Sequence, residues 1–171
     1  METEPDLRVR RAVAGDVATL RELRIQALTD APAAFGSTLE RELGRTSAEW
    51  ARWVSPSATF ILEVDAIPRG VAAGVPDADD ASLVHLMAMW LDPALRGSGA
   101  ADRLVRAVLD WATSHGAVRI RLDVILGNEA AIRLYERHGF RPTGSTTTRA
   151  RDSAIEVQME RVLRPSGSAT P

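Results

Sequence analysis

The sequence predicts a mixed α/β protein in which one sheet carries helices on its faces. Strand-like and helix-like apolar patterns follow one another along the chain, and two strand-to-helix junctions occur, near residues 91–100 and 124–128. Hydrophobic residues make up 45% of the 171 residues and charged residues 26%, a composition typical of a globular protein. This length suits one domain, which we expect to span residues 7–163, with flexible tails at 1–6 and 164–171.

The first half of the chain contains strand and helix signals in the order expected for such a fold. Leu7–Arg10 alternates apolar and polar residues, as a half-buried strand does. Asp16 is placed to cap a following helix, and Thr46 with Glu49 has the spacing of a capping box. The predicted elements are a strand over 7–10, a helix from 17, a helix over 46–54, and strands over 58–64 and 70–75 joined by a turn containing Pro68.

The second half begins with the strongest strand signal in the chain. Leu83–Leu91 is almost wholly apolar, which predicts a central strand buried on both faces, and Pro93 ends it. After this strand come two segments with the apolar periodicity of a helix, each ended by a glycine. The remaining predicted elements are a helix from 100 closed by Gly116, a strand over 118–124, a helix over 128–138 closed by Gly139, and two strands, from 140 and over 154–163.

Residues 93–101, between the apolar strand and the next helix, are the segment best suited to hold an anion. Gly97 and Gly99 allow positive φ and let a ligand approach the backbone closely. Successive N–H groups beside the positive end of a helix dipole suit a pyrophosphate. A glycine-rich turn without a ligand would explain the same residues. The segment lacks the Gly-Lys-Ser/Thr of a P-loop, and Asp102 stands where a dinucleotide fingerprint requires glycine.

Asn128 and Tyr135 form the second candidate constellation. Their spacing of seven residues places them on one face of the predicted helix, two turns apart. Tyr135 is the only tyrosine, and a phenol with a reference pKa near ~10 stays protonated at neutral pH and can donate a proton to a leaving group. The alternative is a packing aromatic residue with a simple N-cap.

Together, the two segments closely resemble the motifs of the GNAT family of N-acetyltransferases. The match lies in Arg-x-x-Gly-x-Ala from Arg96 to Ala101 and in Asn-x-x-Ala-x-x-Leu-Tyr-x-x-x-Gly-Phe from Asn128 to Phe140. The order of predicted elements is also similar to that of the family. The resemblance implies a mostly antiparallel sheet with a splayed central strand pair and helices on both faces.

The resemblance implies acetyl-CoA as the co-substrate. Backbone amides of the glycine loop would bind its pyrophosphate, and the end of the apolar strand would pair with its pantetheine arm. The backbone N–H near Met89 would polarise the thioester carbonyl, Asn128 would hydrogen bond the pantetheine, and Tyr135 would protonate the departing thiolate. The residues so assigned to acetyl-CoA are Met89, Leu91, Arg96, Gly97, Ser98, Gly99, Ala100, Ala101, Asn128, Ala131 and Tyr135.

The implied reaction is attack of a neutral amine on the thioester, so a group must accept the amine's proton. His85 is the candidate base, because it alternates with Met87 and Met89 along the strand. A structural histidine is the alternative, and the rival carboxylates are Glu40, Glu42 and Glu63.

The resemblance also implies where the acceptor amine would lie. Its wall would come from residues 33–53 and 143–153, and Phe35 could contact the acceptor or anchor its own loop. The aspartates at 77, 79 and 80 could steer a cationic amine or form a solvated turn.

Composition narrows the classes of function. The chain has no cysteine, which excludes a disulfide and an acetyl-cysteine intermediate, and its three scattered histidines predict no metal site. A net charge of −2 argues against nucleic acid as a partner, and no apolar run is long enough to span a membrane, so we expect a cytoplasmic protein. The expected activity is acetyl transfer to a small-molecule amine. The alternatives are a protein or peptide amine as acceptor, or a non-catalytic acyl-CoA sensor. Family members commonly form homodimers, and the oligomeric state stays open.

Overall fold

A computed structural model of the protein describes residues 6–163, so the expected tails, except Asp6, lie outside the described residues. The fold is built on one seven-stranded sheet. Its strands are β1 (Leu7–Arg11), β2 (Ala58–Val64), β3 (Ile67–Pro76), β4 (Leu83–Leu91), β5 (Arg119–Ile125), β6 (Arg141–Thr148) and β7 (Ile155–Val162). The spatial order is β1-β2-β3-β4-β5-β7-β6, in which β4 and β5 pair in parallel and all other neighbours are antiparallel.

The helices cover both faces of this sheet, as expected. They are α1 (Val17–Asp30), α2 (Leu39–Leu43), α3 (Ser47–Ala51), α4 (Ala100–Ser114) and α5 (Glu129–Arg137). Side chains of α4 and α5 share one core with Phe60 and Leu62 of β2. Side chains of α1 share a second core with Ile61 of β2 and Val71 of β3. Consecutive residues of β2 therefore face different cores, because side chains alternate across a strand. No helix among residues 6–163 is long and apolar enough to cross a membrane.

The helix α4 packs closely on β3 because β3 carries a glycine at the contact. A Cβ atom added at Gly74 would lie 2.6 Å from the ring of Trp111, so no larger residue fits without movement. Leu104, Val105 and Val108 of α4 are fully buried on the same face. The start of α4 lies near the end of β4 because only eight residues connect Leu91 to Ala100.

Three local predictions differ from the structure. The predicted helix over 46–54 does begin with the Thr46–Glu49 capping box, but as α3 it ends at Ala51. The helix α2, which Thr38 caps by accepting from Arg41 N at 3.3 Å, is not predicted, because five residues are too few for a periodic pattern. The turn after β2 is shorter than predicted, since Pro68 lies within β3 opposite a register shift, where a proline is tolerated.

Candidate active site

The central strands β4 and β5 separate after a short stretch of pairing. They pair at only three positions, of which His85 opposite Arg121 is the last. Beyond this point β4 continues to pair with β3 as far as Leu91, and β5 pairs with β7 as far as Ile125. An opening therefore begins next to His85, and the splayed strand pair implied by the family resemblance is present.

A β-bulge at Ala88 lies within the separated part of β4. Ala88 has a φ of +55°, and the pairing with β3 passes from Met87 opposite Ala73 to Trp90 opposite Val71. Two residues of β4 thus oppose one residue of β3, which defines a bulge. Because the bulge adds a residue, the alternation of side chains reverses beyond it.

This reversal corrects one expectation about the strand. His85 and Met87 precede the bulge and line a cavity on the α1 side of the sheet. Met89 follows the bulge and packs instead against the core beneath α4, so it does not share a face with His85 as expected. Met87 is 50% exposed, and β4 is therefore not buried on both faces along its whole length.

The glycine loop between β4 and α4 presents unused backbone N–H groups. Gly97 and Gly99 have φ values of +81° and +83°, and an added Cβ at either would meet no atom within 4 Å. Among the hydrogen bonds of the described residues, none uses the N–H of Gly97, Gly99 or Ala101. These donors lie at the N-terminus of a 15-residue helix, whose dipole favours an anion. The loop can therefore hold a diphosphate through its main chain.

The side chain of Arg96 is used to anchor this loop. Its Nε and Nη2 donate to the carbonyl of Leu91 at 3.3 and 3.2 Å, and its guanidinium pairs with Asp30 at the end of α1. Trp90 Nε1 donates to the same carboxylate at 3.0 Å. These two partners hold the pKa of Asp30 below its ordinary value. The loop thus offers backbone donors, while Arg96 connects it to β4 and α1.

The second predicted constellation lies on α5. Asn128 caps this helix, since its Oδ1 accepts from Ala131 N at 3.3 Å, which leaves the amide NH2 group as a donor. Tyr135 is 7% exposed, and its ring meets Phe140 edge-on with centroids 5.8 Å apart. Burial alone raises the pKa of the Tyr135 phenol, so this group is protonated throughout the physiological range.

His85 is held by an aspartate from the loop between β3 and β4. Its Nε2 lies 2.7 Å from Oδ2 of Asp77, and this bond, with backbone donors from Asp79 and Asp80, lowers the pKa of Asp77 to about 2. An ionised carboxylate only accepts hydrogen bonds, which assigns the proton of neutral His85 to Nε2 and the lone pair to Nδ1. The Asp77 carboxylate is engaged within the protein, which favours the structural explanation of this acidic loop.

A cavity of about 380 Å³ lies on the α1 side of the opening. Its sheet wall includes His85, Met87 and Ala88 of β4 and Leu122 and Asp123 of β5. Its helical wall comes from residues 24–53, and the residues named there are Arg24, Ala34, Phe35, Gly36, Ser37, Arg41, Glu42, Arg45 and Trp53. The described residues contain no cluster of histidine and carboxylate side chains arranged to hold a metal ion.

The structure separates the carboxylates considered from sequence. Glu42 lines the cavity but forms an ion pair with Arg45. Glu63, on β2, is not part of the lining and forms an ion pair with Arg10 of β1 at 2.8 Å. Two other carboxylates that line the cavity, Asp123 and Glu156, are missed by sequence reasoning. Only the separation of β4 from β5 uncovers Asp123, and no motif in the sequence marks it.

The two segments predicted to form the acceptor wall contact each other. Arg149, from the loop between β6 and β7, donates to the carbonyls of Ala33 and Phe35 at 2.8 Å, and Arg151 donates to Phe35 O at 2.9 Å. Phe35 itself lines the cavity and packs on the core beneath α1. The segment around Phe35 is therefore held by hydrogen bonds from the β6–β7 loop and by packing on the core beneath α1.

Comparison with known proteins gives one family match and several similar relatives. The family model described as Acetyltransferase (GNAT) family matches residues 21–140. An uncharacterized N-acetyltransferase of Mycobacterium tuberculosis is 32% identical over 119 residues, which cover 70% of this chain and 75% of that protein. The N-acetylaspartate synthetase of Homo sapiens is 32% identical over 90 residues, which cover 53% of this chain and 30% of that protein.

Solved structures share the fold over most of the chain. A GNAT-family acetyltransferase from Streptococcus pneumoniae superposes with a TM-score of 0.79 at 20% identity, covering 93% of this chain and 100% of that one. A putative acetyltransferase from Salmonella typhimurium, solved with its cofactor acetyl-CoA, gives 0.75 at 20% identity and covers 97% and 98%. A ribosomal-protein-alanine N-acetyltransferase from Brucella melitensis gives 0.76 at 17% identity and covers 91% and 99%.

Proposed function

The chain belongs to the GNAT family of acetyltransferases, and from this we propose that it transfers the acetyl group of acetyl-CoA directly to the primary amine of a small molecule. The observation that carries the proposal is the opening between β4 and β5, which lies beside the unused backbone donors of Gly97, Gly99 and Ala101. An extended ligand with a diphosphate fits this arrangement, because its phosphates can meet the loop while its arm follows the free edge of β4.

The remaining residues assigned to acetyl-CoA extend this site. Asn128 keeps an amide donor for the pantetheine, and Ala131 lies one turn further along α5. Met89 and Leu91 belong to the part of β4 that is unpaired on its β5 side. The backbone N–H near Met89 would stabilise negative charge on the carbonyl oxygen, since the bulge at Ala88 turns the strand at this point.

His85 and Tyr135 would supply the proton transfers. Acetyl-CoA contributes a thioester; an amide bond forms and the carbon–sulfur bond breaks. His85 would take one proton from the ammonium group at Nδ1, directly or through water, while Asp77 holds the ring, and the freed lone pair would attack the carbonyl carbon. Tyr135 would give its proton to the departing sulfur, and the second proton that the nitrogen loses as the amide forms would return to the phenolate through water. Without a cysteine nucleophile we expect a ternary complex, and ping-pong kinetics would contradict direct transfer.

The size of the acceptor cavity favours a small molecule. At about 380 Å³ it is near the lower end of small-ligand pockets, and its helical wall is fixed by Arg149 and Arg151. The similar human protein named N-acetylaspartate synthetase also points to a small acceptor. The fold is equally compatible with protein acceptors, since it is shared with a ribosomal-protein-alanine N-acetyltransferase.

Two measurements test the proposal. Acetyl-CoA should raise the melting temperature, because a ligand that binds only the folded state stabilises it. Release of free thiol should then be followed across small amines and peptides with free N-termini. Stabilisation without thiol release would indicate a sensor, release with peptides alone would indicate a protein acceptor, and no stabilisation would contradict acetyl-CoA binding. If His85→Gln removes the acidic limb of the pH–rate profile, the assignment of His85 as the general base is supported. An unchanged acidic limb would exclude that assignment.

A further inference from the structure

Arg24 of α1 is an arginine buried in the helical wall of the acceptor cavity. Only 8% of its surface is exposed, although arginine is seldom fully buried without a partner. Its guanidinium lies over the rings of Phe35 and Trp53, with distances to the centroids of 4.8 and 5.6 Å. These rings hold the planar group in place, and the side chain lines the cavity.

Two of the three side-chain nitrogens of Arg24 lack hydrogen-bond acceptors among the described residues. Nε and Nη1 are buried without a partner. Nε lies 3.6 Å from Oε1 of Glu42, which is an ion pair but too long for a hydrogen bond. An arginine with unused donors at a cavity wall is suited to bind a planar anion, because its N–H groups form a fixed fork.

The charges of this wall are also unbalanced. Glu42 is fully buried, and although burial opposes its ionisation, the Arg45 hydrogen bond and the charges of Arg24 and Arg45 hold its pKa below the ordinary value. One carboxylate therefore faces two guanidinium groups, and Arg41 adds a further cation to the lining. A single extra negative charge would balance the cluster of Arg24, Glu42 and Arg45, of which Arg24 and Glu42 are buried.

Carboxylates elsewhere in the cavity do not supply this charge to Arg24. Glu156 lies 3.4 Å from Arg149. Asp123 belongs to β5 on the sheet wall and forms no ion pair among the described residues. The cavity thus carries unmatched positive charge on its helical wall and an unmatched carboxylate on its sheet wall, beside the opening.

We propose that Arg24 binds a carboxylate of the acceptor, and hence that the acceptor is a small amino acid-like molecule carrying both an amine and a carboxylate. The proposal rests on the acetyltransferase function proposed above. A monoanionic carboxylate matches the single excess charge of the cluster and the planar fork of the guanidinium. The amine would then be directed to the sheet wall, where Asp123 and His85 lie.

The test compares each L-amino acid with its own α-carboxamide as acceptor, using free-thiol release by the wild-type protein and by Arg24→Met. Converting the carboxylate to a carboxamide removes the negative charge and lowers the basicity of the neighbouring amine. A larger fraction of the amine is then neutral at pH 7, so the carboxamide should react faster unless the protein binds the carboxylate. We expect the wild type to prefer the acid of its best pair by about 10- to 100-fold in kcat/KM, as for a charged hydrogen bond. Arg24→Met should abolish this preference.

Controls separate this inference from the function on which it rests. Arg21→Met changes an exposed arginine one turn earlier on α1 and should leave the preference unchanged. Acetyl-CoA should raise the melting temperature of the wild type, Arg24→Met and Arg21→Met by the same amount. If Arg24→Met does not fold, Arg24→Lys takes its place, because lysine keeps the charge without the planar fork and should reduce the preference; an unchanged preference would exclude Arg24. Equal rates with acid and amide would overturn the carboxylate assignment while leaving the acetyltransferase intact, whereas absence of thiol release with every amine would contradict the function itself.

Discussion

Replacing Gly99 by alanine tests whether the glycine loop positions backbone donors for a diphosphate. Gly99 has φ +83° and ψ 0°, and an added Cβ would meet no atom within 4 Å, so the substitution has only a conformational cost. Holding an L-residue in this left-handed region costs about 1–2 kcal/mol, which lowers Tm by about 2–8 °C for a chain of this size. If the loop instead relaxes to negative φ, its N–H groups lose their alignment.

The expected effect on the cofactor is therefore larger than the effect on stability. Loss of one charged hydrogen bond to a phosphate would raise the KM for acetyl-CoA by about 10- to 100-fold. Gly116→Ala is the matched control, because Gly116 has φ +78° with no atom near its added Cβ and lies at the other end of α4. It should lose similar stability with an unchanged KM. An equal KM in both variants would refute the assignment of residues 96–101.

Three further substitutions test the packing and the proton transfers. Gly74→Ala should lower the free energy of unfolding by about 3 kcal/mol in urea denaturation, because the added Cβ would lie 2.6 Å from Trp111. Gly36→Ala is the control, since no atom lies within 4 Å of a Cβ added there. An equally small loss in both variants would contradict the close packing at Gly74. Asp77→Asn should reduce the loss of stability on acidification. Folding lowers the pKa of the Asp77 carboxyl from 3.8 to about 2, so this group stabilises the folded state above pH 3.8, and the stabilisation disappears as the pH falls towards 2. An acid transition that is unchanged in the variant would refute that contribution. Tyr135→Phe should lower kcat about 100-fold with little change in Tm, and an unchanged kcat would reduce Tyr135 to a packing role.

Most of the fold was predictable because its elements are long and periodic. Both ends of Leu83–Leu91 are predicted correctly, because a run that is apolar except for His85 lies between a polar loop and Pro93. The helix α4 was predictable for a similar reason, with glycine at its start and end. The helix α2 was not, because its single turn and a half depends on contact with α1 and on the Thr38 cap.

The site was predictable only where it depends on local backbone chemistry. The loop at 96–101 and the capped start of α5 follow from residues close together in sequence, and the structure gives both the expected backbone form. The proposed acceptor cavity joins α1, β4 and β5, so its lining depends on tertiary contacts that no local pattern encodes. Arg24 illustrates this, since in sequence it is one of several charged residues on a helix.

The bulge at Ala88 explains why a strand with so uniform a composition has two chemical roles. Without it, His85, Met87 and Met89 would point the same way, and the apolar run would cover one cavity wall throughout. With it, His85 and Met87 line the cavity, whereas Met89 and Leu91 pack towards the α4 side. Composition cannot reveal this change, because every residue on either side of the bulge except His85 is apolar. The bulge at Ala88, where φ is +55°, therefore moves Met89 and Leu91 from the cavity face of β4 to the α4 face.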